Sequence, residues 1–170
     1  MNKRYRNRQY HRVENILTGL SEQNKILYSC PEYLILPDMK WDLKSISSLY
    51  LVALVQDRTI RSLRDLNGSH LTFLKSIRRE ASRIVHERWG LGHGSLRMYV
   101  HYQPSYCMSS CCTINIFTQL FSDHFHVHIV NVNYEGGLFG MTVGQAHLLD
   151  DIISLVSNYH LNDARCPERL

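Results

Sequence analysis

The chain has 170 residues, 44% of them hydrophobic and 20% charged, with a formal net charge of +4. That is enough for one domain with a buried core, and it excludes a disordered or low-complexity polymer. No apolar run reaches the roughly 18 residues of a membrane helix. The five cysteines, two of them adjacent and none in a C-x-x-C pair, argue against a disulfide framework or a structural zinc site. With no signal peptide in the sequence, a soluble cytoplasmic or nuclear protein is expected.

Residues 1–12 form a basic arm in which Lys3, Arg4, Arg6, Arg8 and Arg12 have no acid among them. Such an arm can touch phosphates, or simply be a solvated terminus. Residues 13–20 suggest a short helix with Ile16, Leu17 and Leu20 on one side, and residues 25–28 a brief strand closed by Cys30-Pro31. Tyr33-Leu34-Ile35-Leu36 predicts a buried strand that Pro37 ends or moves to a sheet edge. The apolar run 49–55 predicts another buried strand. Asn67-Gly68-Ser69 is a turn leading into the longest helix, where Leu71, Leu74, Ile77, Ala81, Ile84 and Val85 recur at helical spacing until Gly90 supplies the stop. Strands are predicted over 96–102 and 125–132. A second helix is expected over 143–156, with Ala146, Leu149, Ile152, Ile153 and Val156 as its stripe. The pattern is α+β: an antiparallel sheet with two main helices. The core domain is read as 13–157, followed by a tail over 158–170.

The most informative stretch is His124-Phe125-His126-Val127-His128-Ile129-Val130. On a strand, side chains two apart share a face, so three imidazoles line one surface while Phe125, Val127 and Ile129 face a core. Three readings fit this row. A neutral imidazole can attack a phosphate, with His126 as nucleophile and His124 and His128 flanking it about 6.5–7 Å away. Two histidines can share a zinc ion, with His101 as a further ligand. The outer pair, roughly 13 Å apart at Cα, cannot meet on one metal from a regular strand. The third possibility is a solvated, His-rich face without chemistry.

This stretch resembles the His-φ-His-φ-His-φ-φ signature of the histidine-triad (HIT) nucleotide hydrolases and transferases. Further segments resemble one branch, the scavenger mRNA decapping enzymes. They include Leu36-Pro37-Asp38-Met39-Lys40-Trp41, Ile60-Arg61-Ser62-Leu63-Arg64-Asp65-Leu66, Arg97-Met98-Tyr99-Val100-His101-Tyr102-Gln103-Pro104-Ser105-Tyr106 and Gln145-Ala146-His147-Leu148-Leu149. The resemblance covers about residues 13–156 and only the catalytic half of that family. It implies a HIT-like fold and a metal-independent, cofactor-free pyrophosphohydrolase. Its substrates would be 7-methylguanosine cap dinucleotides or short capped RNA left by mRNA decay, cleaved through a phosphohistidine to release 7-methylguanosine monophosphate. It also implies a homodimer, with no membrane association. By the same resemblance His126 is the nucleophile and His124 and His128 flank the phosphates. His101, Ser105 and Tyr106 contact the phosphate chain, Glu22 reads the guanine edge, and Asp38 and Lys40 line the cap site.

The chain departs from that pattern in three places. Arg12 stands where the family stacks a tryptophan on the cationic base, and Gln145 stands where it often has an arginine. Residues 107–123 intervene between Pro104-Ser105-Tyr106 and the triad, which the family brings nearly together. The abrupt composition of this insertion suggests a retained in-frame intron or a gene-model error. Two alternatives accompany the leading reading: a broader HIT nucleotide hydrolase with a weakened cap pocket, and a truncated, inactive cap-binding or dimer-partner fragment.

Overall fold

A computed structural model describes residues 12–92, 94–101, 124–135 and 146–163, with side chains described as far as residue 158. The insertion 107–123, and with it Ser105 and Tyr106, lies outside the described residues. Residues 12–17 form helix α1. Strands β1 (Tyr28–Ser29), β2 (Tyr33–Pro37) and β3 (Tyr50–Val55) come next, then helix α2 (Leu71–Trp89). After α2 come β4 (Leu96–His101), β5 (His126–Asn131), β6 (Ala146–Leu148) and helix α3 (Leu149–Asp163). Among the described residues the strands make one sheet in the order β1-β2-β3-β5-β4-β6, antiparallel at every pairing. The architecture is α+β, as the sequence pattern predicts.

The expected alternation on β5 decides which face is core. Phe125, Val127 and Ile129 are buried with Leu51 and Ala53 of β3, against Leu74, Ile77 and Ala81 of α2 and Leu149 and Ile152 of α3. Each of the larger side chains, Leu, Ile, Val and Phe, contributes roughly 1.5–3 kcal/mol of burial. The opposite face of β3 carries Val52 and Leu54, which pair across the ladder with His128 and His126. These two pack with Leu34, Leu36 and Ile16 of α1 into a second, smaller cluster. The histidine face is therefore half covered by apolar side chains, which keep the imidazoles away from bulk water.

Helix α2 begins after a 3-10 turn in which Asn67 accepts from the Ser69 backbone N–H. It ends at Gly90, whose φ of 67° is left-handed and whose N–H bonds back to His86. Glycine takes that conformation without steric cost, which is why the helix stops there.

Three expectations need correction. The first helix ends at residue 17 and Leu20 is fully on the surface, at 77% exposure. In place of a strand over 25–28, residues Gln23–Lys25 form a 3-10 turn and pairing begins only at Tyr28. Pro37 ends its strand, the first of the two expected outcomes, but that strand is not at an edge, because β2 sits between β1 and β3 and Pro37 pairs with Leu51. It is tolerated because the adjacent Asp38 N–H donates to β3, so the N–H that proline lacks faces the β1 side. There the pairing reaches only Leu34 and Ile35. Finally, Ala146 lies in β6 and not in the last helix, which starts at Leu149. The unpaired edge of β4 takes up this segment, with Val100 opposite His147, before the helical stripe of Leu149, Ile152, Ile153 and Val156 begins.

Candidate active site

The site is built on β5 at the middle of the sheet. Val127 and Ile129 anchor the strand in the core, so His124, His126 and His128 turn to the other face, as expected. The rings of His126 and His128 are 4.7 Å apart between centroids. Register then brings β4 alongside: Tyr99 lies opposite His128, and its ring stacks on the imidazole at 4.9 Å. His101, two residues on, packs edge-on to His128 at 5.0 Å. His101 thus joins the row from a different strand.

Hydrogen bonds give the two central histidines different states. The Nδ1–H of His126 donates to the backbone carbonyl of His124 at 2.7 Å, since a carbonyl can only accept. A neutral imidazole carries one proton, so Nε2 of His126 is the basic nitrogen. His128 instead meets a hydroxyl: its Nδ1 is 2.9 Å from the Tyr50 oxygen. Tyr50 is itself 3.3 Å from the Tyr99 hydroxyl and receives Lys40 Nζ at 3.5 Å, with the ammonium also 5.2 Å from the ring centre. The Nε2 atoms of His124 and His128 are buried without a hydrogen-bond partner among the described residues.

Burial lowers the basicity of all three imidazoles. His128 is held well below its ordinary range, first by burial and then by the neighbouring His126, His101 and Lys40. His126 and His124 shift down for the same leading reason, opposed by backbone contacts to His124 and Val55 respectively. The row is therefore neutral near pH 7. An unfolded histidine titrates near pH 6.5, so below that the unfolded chain binds more protons than the folded one, and stability falls with acidification. We expect the thermal unfolding midpoint to drop between about pH 7.5 and about pH 5, above the carboxylate range. A flat profile over that interval would contradict the burial of these rings.

The cap-site candidates lie partly with this group. Asp38 donates its backbone N–H to the Tyr50 carbonyl, and its carboxylate accepts the Lys40 backbone N–H at 2.9 Å. This turn carries Lys40 to the Tyr50 hydroxyl. Glu22 is engaged elsewhere. Arg12 grips both of its oxygens, Nε to Oε1 at 2.5 Å and Nη2 to Oε2 at 3.0 Å, and Lys25 adds a contact at 3.3 Å. The hydrogen bond from Arg12 is the main reason the Glu22 carboxyl lies below its usual range, with burial opposing it. Sequence reasoning missed Tyr50 and Tyr99. The signal available was a polar-tipped tyrosine opening the otherwise aliphatic run Tyr50-Leu51-Val52-Ala53-Leu54-Val55, since a buried tyrosine needs a partner for its hydroxyl. Among the described residues no group of three His, Cys, Asp or Glu is arranged to hold a metal ion. No helix among the described residues is long and apolar enough to cross a membrane.

The chain is 37% identical over 150 residues to the m7GpppX diphosphatase of Schizosaccharomyces pombe, covering 86% of this chain and 44% of that protein. It is 33% identical over 145 residues to the human m7GpppX diphosphatase, covering 83% and 38%. It thus spans less than half the length of these relatives. Among solved structures, a HIT family hydrolase from Legionella pneumophila aligns at 14% identity and TM-score 0.49, over 69% of this chain and 88% of that one. One from Clostridium thermocellum aligns at 15% and 0.44, over 70% and 86%. The family model described as scavenger mRNA decapping enzyme C-term binding matches residues 11–108, from the helix that precedes the sheet to the edge of the insertion. By that match the chain belongs to the scavenger mRNA decapping enzyme C-terminal family.

Proposed function

We propose that the chain hydrolyses 7-methylguanosine cap dinucleotides or short capped RNA, with His126 as nucleophile. The observation that carries this is the bond from His126 Nδ1–H to the His124 carbonyl, which leaves Nε2 as the basic nitrogen in a neutral row. Nε2 attacks a phosphorus of the triphosphate bridge, forming an N–P bond as the P–O bond to the departing nucleotide breaks. Water then attacks the same phosphorus, the N–P bond breaks, and 7-methylguanosine monophosphate leaves, the nucleoside diphosphate or 5′-diphosphate oligonucleotide having departed in the first step. Lys40 supplies positive charge beside the row, and His124, His128 and His101 supply imidazole nitrogens for phosphoryl oxygens. Ser105 and Tyr106 are assigned to the phosphate chain by resemblance alone. No metal or cofactor enters these steps. The catalytic unit is taken as 13–157 interrupted by 107–123, acting as a homodimer in the cytoplasm or nucleus. The relatives named m7GpppX diphosphatase support this substrate class.

The Arg12–Glu22 pair favours a second reading, a HIT hydrolase that is indifferent to methylation. A carboxylate reads a guanine edge by accepting from two N–H groups, and both oxygens of Glu22 are already taken. A guanidinium beside a positively charged 7-methylguanine also repels it. One assay tests both: kcat/KM for methylated and unmethylated cap dinucleotides, in the parent protein and in Arg12→Met. The cap-specific reading expects a methylated-to-unmethylated ratio above about 10, or roughly 1.4 kcal/mol of discrimination. The second expects a ratio near 1 that rises in Arg12→Met. Turnover of neither substrate overturns both and leaves the binding fragment.

A further inference from the structure

His126 and His128 sit two residues apart on one strand, yet their Nδ1 atoms meet groups of opposite hydrogen-bonding capacity. The partner of His126 is a carbonyl, which can only accept. The partner of His128 is the Tyr50 hydroxyl, which can donate. Tyr50 has one proton and three neighbours: His128 Nδ1 at 2.9 Å, the Tyr99 hydroxyl at 3.3 Å and Lys40 Nζ at 3.5 Å. Lys40, as an ammonium, can only donate, so the Tyr50 oxygen accepts from it. The proton of Tyr50 then has two possible destinations. An imidazole nitrogen is a much stronger base than a phenol oxygen, and a phenol O–H is a stronger acid than an imidazole N–H. Donation from Lys40 polarises the phenol further in the same direction. The shortest of the three contacts is the one to the imidazole.

We propose that Tyr50 is a positioning residue that sets the tautomer of His128, donating its hydroxyl proton to Nδ1 so that Nε2 carries the hydrogen. Adjacent members of the row then present opposite chemistry. His126 offers a lone pair at Nε2, and His128 offers an N–H at the corresponding atom. The hydroxyl reaches across 78 residues of sequence to do this. Tyr50 is 2% exposed and held on β3 opposite Val130, and the stacked Tyr99 ring restricts rotation of the His128 imidazole. Nε2 of His128 is buried with no partner among the described residues. A buried N–H without a partner is destabilising until an acceptor arrives, which suits a group that waits for an anionic oxygen. The role in phosphate binding rests on the phosphoryl-transfer reading above; the tautomer assignment does not.

The test is a long-range 1H–15N correlation spectrum of the imidazole rings of the full chain near neutral pH, with His128 assigned by its loss in His128→Asn. The expected result is a protonated Nε2 and an unprotonated Nδ1 at His128, with the reverse at His126. In Tyr50→Phe, the His128 ring is expected to become a mixture of tautomers or to move to Nδ1–H, while His126 keeps its pattern. If the protein turns over cap dinucleotide, the same variant should lose about ten-fold in kcat with KM changed less than about two-fold. A protonated Nδ1 at His128 in the parent protein overturns the proposal, even if Tyr50→Phe fails to fold. An unchanged tautomer in a folded Tyr50→Phe protein overturns it as well. Lack of turnover would overturn the hydrolase reading and leave the tautomer result standing.

Discussion

His126→Asn is expected to lower turnover of cap dinucleotide by roughly 10⁴-fold or more, the scale seen when a covalent nucleophile is removed. The substitution is chosen for what it keeps. An asparagine amide N–H can take the place of Nδ1–H and donate to the His124 carbonyl, so the strand keeps its local bond. What disappears is the basic nitrogen, and with it the N–P bond. Because His126 lies on the face of β5 turned away from the helices, the unfolding midpoint should move little. A second readout follows from the chemistry: radiolabel from a phosphate-labelled substrate should be trapped on the parent protein as an acid-labile adduct and be absent from the variant. Turnover retained in His126→Asn would remove the nucleophile assignment.

Phe125→Ala, one residue away, is expected to do the opposite. Phe125 is 1% exposed and belongs to the main core with Val127, Ile129 and the inner faces of α2 and α3. Truncating a buried phenylalanine removes its transfer energy and leaves a cavity, typically at a cost of 3–5 kcal/mol. Against a total stability of about 5–15 kcal/mol, that is a large fraction. Urea unfolding should show a markedly lower midpoint with a similar slope. Protein that stays folded should keep an imidazole row with the same tautomer pattern, since β5 is held on both sides by β3 and β4. A loss below about 1 kcal/mol would mean that Phe125 is not packed as described. Together the two variants separate the faces of one strand, activity on one side and stability on the other.

These neighbours also show how much was legible beforehand. The alternation of histidine with Phe125, Val127 and Ile129 is a local pattern, and a strand must place its members on opposite faces whatever surrounds it. The long helix was legible for the same reason, from its repeat to Gly90. Within the helix expected over 143–156, residues 146–148 were misread because helical spacing continues smoothly through Ala146 to Leu149, where the helix does begin. Nothing local reveals that the β4 edge takes up Ala146–Leu148 as β6. Pro37 marked the end of its strand, but that an interior strand tolerates it depends on how far β1 reaches, not on its own strand.

Glu22 was picked out as a base reader from its neighbours in sequence, and its engagement by Arg12 emerged only when the two were brought together. Their pairing turns a question about which residue stacks on a base into one about whether a carboxylate is available. Arg12 was noted as a departure, but its partner could not be named from spacing.

The sequence by itself determined the α+β class, the strand that carries the three histidines and the face on which their imidazoles stand. These follow from periodicity and residue type, which are properties of the chain read locally. Only the tertiary structure decided what each imidazole is able to do. The roles of the ring nitrogens depend on the group opposite Nδ1: a carbonyl on the same strand for His126, and a tyrosine hydroxyl from β3 for His128. That difference is set by sheet register and by desolvation in the half-covered face. Both arise when segments distant in sequence pack together, and neither is written in the alternation of the strand itself.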